Sequence, residues 1–409
     1  MASARENSPS TLRELAARVD HLQMHTILVR FYKQLDTASV AAERVPLGAF
    51  PKAPRRILIL GMGGSAIAGE ILRTYAAFTP GADHLDIRVH RGYWLPPALV
   101  DRTTLVIASS YSGNTEETLT SFELARLRTP YVACLTSGGQ LQQRCHELGL
   151  PLIPLPGGFP PRGALGFSFF TLLLLFLRLG YFRKAACQLT ESALSPTSDR
   201  LKELAELYGN PEAEGNPTVR LAHQLRTRVP IIYASERMEA VGLRWRQQLQ
   251  ENAKHAAFGN VVPEMNHNEI CGWLFPAGFP RDGVHFLWLQ DPEDHPRIQL
   301  RINYTQKLLV PHVPPESHTV FCPHEPHFLT RLFSLIALGD WVSYWLALLH
   351  RMEPTEVQVI DDLKRSLSHH PYSPSQAALE LLQRQHPAAF RTAARAQRSA
   401  RNPAANPPS

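Results

Sequence analysis

The chain has 409 residues, 44% hydrophobic and 19% charged, which is enough apolar material for the cores of roughly two to three domains and excludes a disordered protein. Its 42 basic and 36 acidic residues give a net charge of +6; five arginines against one acid lie beyond residue 370, so the body is too weakly charged for a dedicated nucleic-acid surface. Five cysteines without CxxC spacing (Cys134, Cys145, Cys187, Cys271, Cys322) and no apolar segment in the first 20 residues point to a reducing, cytoplasmic setting rather than to export.

Residues 1–10 read as a mobile leader, after which Ser10 or Thr11 would cap a helix through LRELAARVDHL. Beyond a linker-like stretch, Ile57 to Leu60 read as a strand running into Gly61-Met62-Gly63-Gly64-Ser65 and a helix, AIAGEILRTY. Leu85 to His90, Thr104 to Ala108 and Tyr131 to Leu135 read as further strands. The second of these is followed by Ser110-x-Ser112-Gly113-x-Thr115 and the helix EETLTSFELARL. The apolar run Ala164 to Leu177 is about 14 residues, short of the roughly 20 that cross a bilayer, and predicts a buried core helix. After a Pro/Asn/Gly-rich break at Gly209 to Pro217 the alternation restarts. It continues with a strand at Val229 to Tyr233, a helix at Met238 to Lys254, and strands at Gly283 to Leu289 and Ile298 to Ile302. A long apolar helix at Leu329 to Leu349 follows, then an amphipathic helix, EVQVIDDLKRSL, opened by Pro354-Thr355. Beyond His370, Pro, Ala and Arg dominate; the tail is expected to be partly disordered and unable to build a core, apart from a short helix at Gln376 to Gln385. Strands alternating with helices predict an α/β fold of two doubly wound lobes, each a mostly parallel sheet flanked by helices. The expected divisions are a leader and helix at 1–34, lobes at 35–180 and 218–370, and the basic tail at 371–409.

Two strand-to-helix loops carry chemistry. Gly61-x-Gly63 invites a dinucleotide reading, but no acid stands at the end of the next strand to hold a ribose, so no cofactor is expected. The Ser110–Thr115 loop sets three hydroxyls at a helix N-terminus, where free amides and the helix dipole favour an anion. Without a P-loop lysine, a phosphate monoester fits better than a nucleoside triphosphate. Ser65 lies in the neighbouring loop of the same sheet, and the two loops would face one crevice at the carboxyl edge of the strands.

GMGGSAIAGE, SYSGNTEETL, PRGALGFSFF and above all ENAKHAAFGNVVPEMNHNEICGW resemble the bifunctional phosphoglucose/phosphomannose isomerase family, built from two sugar isomerase (SIS) domains. The resemblance runs in register from about Ile57 to Leu367 and leaves the leader and the tail outside it. It implies an aldose–ketose isomerase acting on sugar 6-phosphates. In that reading Glu251 is the proton-transfer base and Arg162 stabilises the enediolate. His267 opens the sugar ring from the neighbouring subunit of a homodimer, and Lys364 assists. Gly64, Ser65, Ser110, Ser112, Thr115 and Arg162 are the expected substrate-binding residues. Bland readings stand beside these: a solvated helix-end Glu251, a surface Arg162 beside a turn, one histidine of 18 at His267, and a solvent-facing Lys364 anchored by Ile360 and Leu363. Thr355 reads as a helix N-cap, although the family resemblance also suggests a small hydroxyl beside the substrate that admits mannose phosphates. No metal is expected, since HxH and HExxH are lacking and the near-pair His324/His327 sits among prolines. The loop ASERMEAVG departs from the family in lacking a glycine near its start. The competing readings are a non-enzymatic phosphosugar sensor and an isomerase of another sugar phosphate.

Overall fold

The computed structural model describes residues 9–273, 281–309 and 313–385. Most of the expected leader and the end of the tail, 386–409, lie outside the described residues. Three helices open the chain, α1 (Pro9–Val19), α2 (Met24–Val29) and α3 (Gln34–Glu43). α1 begins before the two hydroxyl residues expected to cap it.

The first sheet contains β1 (Ile57–Leu60), β2 (Ile87–His90), β3 (Leu105–Ser109), β4 (Val132–Thr136) and β5 (Leu152–Pro154). They pair in the order β2-β1-β3-β4-β5, all parallel. β1, β3 and β4 are buried along their whole length, as strands covered on both faces must be. The crossovers are α4 (Gly63–Ala77), α5 (Glu116–Ala125) and α6 (Gly139–Glu147), and the lobe closes with α7 (Leu165–Arg178). Because the strand order reverses between β1 and β3, the loops leaving these two strands part to opposite faces and leave a crevice at their carboxyl ends.

The linking helices are α8 (Lys184–Tyr208) and α9 (Pro217–Leu225). In the expected break between them, Asn216 caps α9 by accepting from the Thr218 and Val219 amides, with Pro217 at the first helical position, where a missing N–H costs nothing. The second sheet repeats the plan with β6 (Val229–Ser235), β7 (Phe258–Val262), β8 (Val284–Leu289) and β9 (His318–Phe321), parallel in the order β7-β6-β8-β9. Its helices are α10 (Glu239–Glu251), the short α11 (Glu269–Gly272) and α12 (Pro296–Leu309). The reversal point of this sheet is filled by ion pairs. Asp291 accepts from Arg237 at 3.0 Å and from Arg331 at 2.7 Å, and Arg237 stacks on Phe328 at 4.5 Å.

One expected strand is a helix. Ile298 to Ile302 reads I-Q-L-R-I, a period of two, yet it lies inside α12, whose buried residues are Ile298, Ile302, Thr305 and Leu309. That spacing is helical, and Leu300, which a strand would have buried, is exposed.

The apolar α13 (Phe328–Leu349) is the central helix of the core. It is long and apolar enough to cross a membrane, as is the segment Pro161–Arg178, but protein covers both: 94% of the α13 window and 78% of the other are buried. The polar residues of α13 are satisfied inside the protein. Thr330 meets Thr197, Arg331 Asp291, Ser334 Glu325, Asp340 Arg244 and Ser343 Asn252.

The chain ends in α14 (Gln358–Ser368) and α15 (Pro374–Gln385). α14 has no buried residue, and Ile360 and Leu363 are exposed rather than anchoring Lys364. α15 forms where a short helix was expected, but the expectation that the tail adds nothing to a core fails. Ala378 is fully buried against α5, with Leu381 and Leu382 packed on the same cluster. The apolar face A-x-x-L-L supplies what the overall composition of the tail conceals.

Candidate active site

Gly61 to Ser65 and Ser110 to Thr115 meet at the carboxyl edge of the first sheet, as parallel pairing of Leu60 with Ala108 requires. Hydrogen bonds stitch the two loops together. The Ser109 hydroxyl donates to the Ser65 carbonyl at 3.0 Å, and the Tyr111 amide donates to Ser65 Oγ at 2.9 Å. Ser110 and Thr115 hydroxyls pair at 2.9 Å, so Thr115, the residue preceding α5, does not cap that helix with its side chain. Ser112 is exposed, with Oγ accepting from the Asn114 amide at 3.3 Å. The carboxylate of Glu116, in the first turn of α5, accepts from the Tyr93 hydroxyl at 3.2 Å. The loop is closely supported from behind: at Gly113, with φ +69°, a Cβ would lie 1.8 Å from the Gly138 carbonyl oxygen. Four of the expected substrate residues, Ser65, Ser110, Ser112 and Thr115, therefore lie together where the chain leaves β1 and β3 for α4 and α5.

Gly64 joins them in another way. A Cβ there would lie 2.9 Å from both the Arg162 amide nitrogen and the Pro161 carbonyl carbon. Its lack of a side chain lets the N-terminus of α4 touch the turn that carries Arg162.

Arg162 is buried, not a surface residue. Nε donates to Asn252 Oδ1, and Nη2 donates to the carbonyls of Pro354 at 2.7 Å and Thr355 at 2.6 Å. Nη1 stands 3.4 Å from Glu251 Oε2. Burial lowers the pKa of the guanidinium from its ordinary value, and Glu251 opposes that shift; an arginine stays protonated regardless. Arg244 holds the turn by donating to the Arg162 carbonyl at 3.0 Å while forming a two-pronged ion pair with the buried Asp340, at 3.0 and 2.7 Å. Glu251 is half-buried at the end of α10, so neither the solvated-glutamate nor the surface-arginine reading holds.

Sequence reasoning missed several members of this cluster. Asn252 links Arg162 to Ser343 of α13, with Nδ2 donating to Oγ at 2.9 Å. The Lys254 ammonium donates to the carbonyls of Asn252 and Glu353. Partial burial, and then the charge of Arg162, push its pKa down to about 8. Thr355 does not cap α14, which follows Val357; its Oγ1 is buried without a hydrogen-bond partner. Asn252 and Lys254 stand in the ENAK block itself, but nothing in their spacing says that they meet Arg162, 90 residues earlier.

Two expected residues do not join the cluster within the chain. Lys364 is exposed and pairs with Asp361 at 3.5 Å. His267 is exposed on the turn after β7, at the carboxyl edge of the second sheet. Glu251 lies at the opposite edge: α10 runs back from the carboxyl end of β6, and His255, just beyond it, meets the carbonyl of Arg228 at the start of that strand at 2.9 Å. α10 has thirteen residues, about 20 Å of helix, and it runs between the two edges.

A buried cation beside a carboxylate, next to two helix N-termini at a sheet reversal point, can hold a phosphate and move a proton on a neighbouring carbon. Residues 214–367 match the model of the bacterial phospho-glucose isomerase C-terminal SIS domain, which makes the second lobe one of the SIS class. Among solved structures, a glucose-6-phosphate isomerase-like protein from Thermus thermophilus superposes with a TM-score of 0.55 at 18% identity, covering 86% of this chain and 97% of that one. The bifunctional phosphoglucose/phosphomannose isomerase of Caldicellulosiruptor bescii is 40% identical over 316 residues, 76% of this chain and 89% of its own length. That of Aquifex aeolicus is 32% identical over 85% of this chain and 99% of its own length. The chain belongs to the bifunctional phosphoglucose/phosphomannose isomerase family.

Proposed function

We propose that this protein is a cytoplasmic, homodimeric isomerase that interconverts glucose 6-phosphate and fructose 6-phosphate, and likewise mannose 6-phosphate and fructose 6-phosphate. The observation that carries the reading is the Glu251–Arg162 pair, 3.4 Å apart, with Arg162 on the turn that touches Gly64 at the start of α4. The phosphate sits against Ser110, Ser112, Thr115 and the first amides of α5. Glu251 removes the proton from carbon 2 of the open-chain aldose. The C–H electron pair forms the carbon 1–carbon 2 double bond, and the former carbonyl oxygen becomes an enediolate held by Arg162. Glu251 returns the proton to carbon 1 while the proton of the carbon 2 hydroxyl passes to the carbon 1 oxygen, so that carbon 2 becomes the carbonyl and the ketose is left. Returning the proton to carbon 2 from the other face gives the mannose epimer. Unpaired Thr355 Oγ1, beside the carbonyl that Arg162 holds, suits a substrate hydroxyl. None of these steps requires a cofactor or a metal.

His267 opens the ring from the second subunit, because α10, about 20 Å long, separates the sheet edge that carries it from the edge that carries its own Glu251. The test is complementation between Glu251→Gln and His267→Ala chains, each nearly inactive alone. Refolded together in equal amounts, about half the dimers are mixed and each has one intact site of two, so about a quarter of the wild-type rate returns. No recovery after subunit exchange is verified by mass would overturn the shared site. Absence of turnover by the wild-type protein on all three phosphates would overturn the reaction.

A further inference from the structure

α14 lies between two anchors on opposite sides of the crevice. At its start, Arg162 grips the Pro354 and Thr355 carbonyls, and the Glu353 carboxylate accepts from the His21 amide at 2.7 Å and the Thr355 amide at 3.0 Å. Past its end, the Tyr372 hydroxyl lies 2.7 Å from Thr120 Oγ1 on α5. Thr120 already donates to the Glu116 carbonyl at 2.8 Å, so Tyr372 is the donor. The Tyr372 ring meets Tyr93 edge-on at 5.8 Å, and Tyr93 in turn holds Glu116, the first residue of α5 after the phosphate loop. α15 then seats Ala378, Leu381 and Leu382 on the cluster containing Leu119 and Phe122. Between the anchors, α14 buries no side chain of its own. A helix without packing is placed by its ends, and local opening is cheap unless both ends are fixed.

We infer that α15 is a clasp: Tyr372 and Ala378 are positioning residues that fix α14, with Lys364 on it, across the mouth of the crevice and tie it to the helix that follows the phosphate loop. The clasp lies beyond the match to the C-terminal domain model, which ends at residue 367. Its effect on turnover rests on the proposed isomerase reading together with the part in ring opening that the family resemblance gives Lys364; the clasp itself does not.

The experiment compares the full chain with Ala378→Asp, which sets a carboxylate in the apolar cluster, with Ala378→Ser as the conservative variant, and with chains stopped after Gln385 or after His370. Amide exchange over residues 359–367 is followed together with kcat and KM for glucose 6-phosphate. Ala378→Asp and the His370 stop are expected to speed exchange in α14 by about tenfold or more while β1 and β3 stay protected. They are expected to lower kcat about tenfold while KM stays within about threefold, since the phosphate loop is untouched. Ala378→Ser and the Gln385 stop keep both at full-chain values. Unchanged exchange in α14 overturns the clasp, and loosened exchange with unchanged kcat overturns its role in positioning. If Ala378→Asp does not fold, the His370 stop carries the test. A full chain without isomerase activity refutes the proposed reaction instead, and α14 exchange still decides whether the clasp exists.

Discussion

Replacing Gly64 by alanine probes the closest approach in the proposed site. The new Cβ would lie 2.9 Å from two backbone atoms, Arg162 N and Pro161 C, about 0.5 Å inside ordinary van der Waals contact. Backbone cannot rotate away, so the start of α4 and the turn at 161–164 must separate. Overpacking of this kind costs about 1–3 kcal/mol. Alanine recovers up to about 1 kcal/mol of helix propensity, less in a first turn than in a helix interior. The steric term therefore cancels or outweighs that gain, with a net loss of about 0–3 kcal/mol. Catalysis should suffer more than stability, because the displaced turn carries Arg162 toward or away from Glu251. A misplacement of 1 Å can cost about 100-fold, so half an ångström corresponds to about tenfold in kcat/KM. Steady-state kinetics on glucose 6-phosphate and urea unfolding measure the two effects. Gly48→Ala, where a Cβ meets nothing within 4 Å, is the neutral control. A Gly64→Ala enzyme with wild-type kcat/KM and an unshifted unfolding midpoint would refute the reasoning.

Glu251→Gln is expected to lower kcat by about 100-fold or more while glucose 6-phosphate still binds by calorimetry; retention of more than a tenth of kcat would place the base elsewhere. Ser112→Ala and Thr115→Ala should each raise KM several-fold with little change in kcat, since they hold the phosphate rather than the reacting carbons, and unchanged KM in both would remove the phosphate from that loop. Lys254 has a folded-state pKa of about 8, below its ordinary 10.5. The unfolded chain therefore binds more protons across that window, and wild-type stability should rise relative to Lys254→Met as pH climbs from about 8 to 10, by less than the full shift implies because the residue is partly in solvent. A stability difference that stays flat with pH would mean that the ammonium is not held beside Arg162.

The strand-and-loop skeleton of the site was legible because it is local. Ile57–Leu60 is a run of four apolar residues that can only be buried on both sides, and the glycines and hydroxyls after β1 and β3 announce strand-to-helix turns. Alternation of strands and helices then fixed the fold class, and the ENAK block fixed the family. Short edge strands were not legible: β5 is three residues, and β7 is mostly half-exposed. α12 was misread because five residues with period two outweighed a fourteen-residue window with a helical period.

Tertiary structure alone decided which charges meet. Arg162 and Glu251 are 89 residues apart, and each is unremarkable in its own segment; burial of the arginine among Asn252, two carbonyls and that carboxylate is what brings the pair together. The same holds for Thr355, a helix cap by local pattern, which the grip of Arg162 on its carbonyl and the later start of α14 leave with an unpaired buried hydroxyl. His267 shows the converse. Its motif is strong in the sequence, but α10 separates it from its own Glu251 by the depth of a sheet, because a crossover helix must run antiparallel to the strands it joins. Residue type and spacing determined what each group could do, and long-range packing determined which groups do it together.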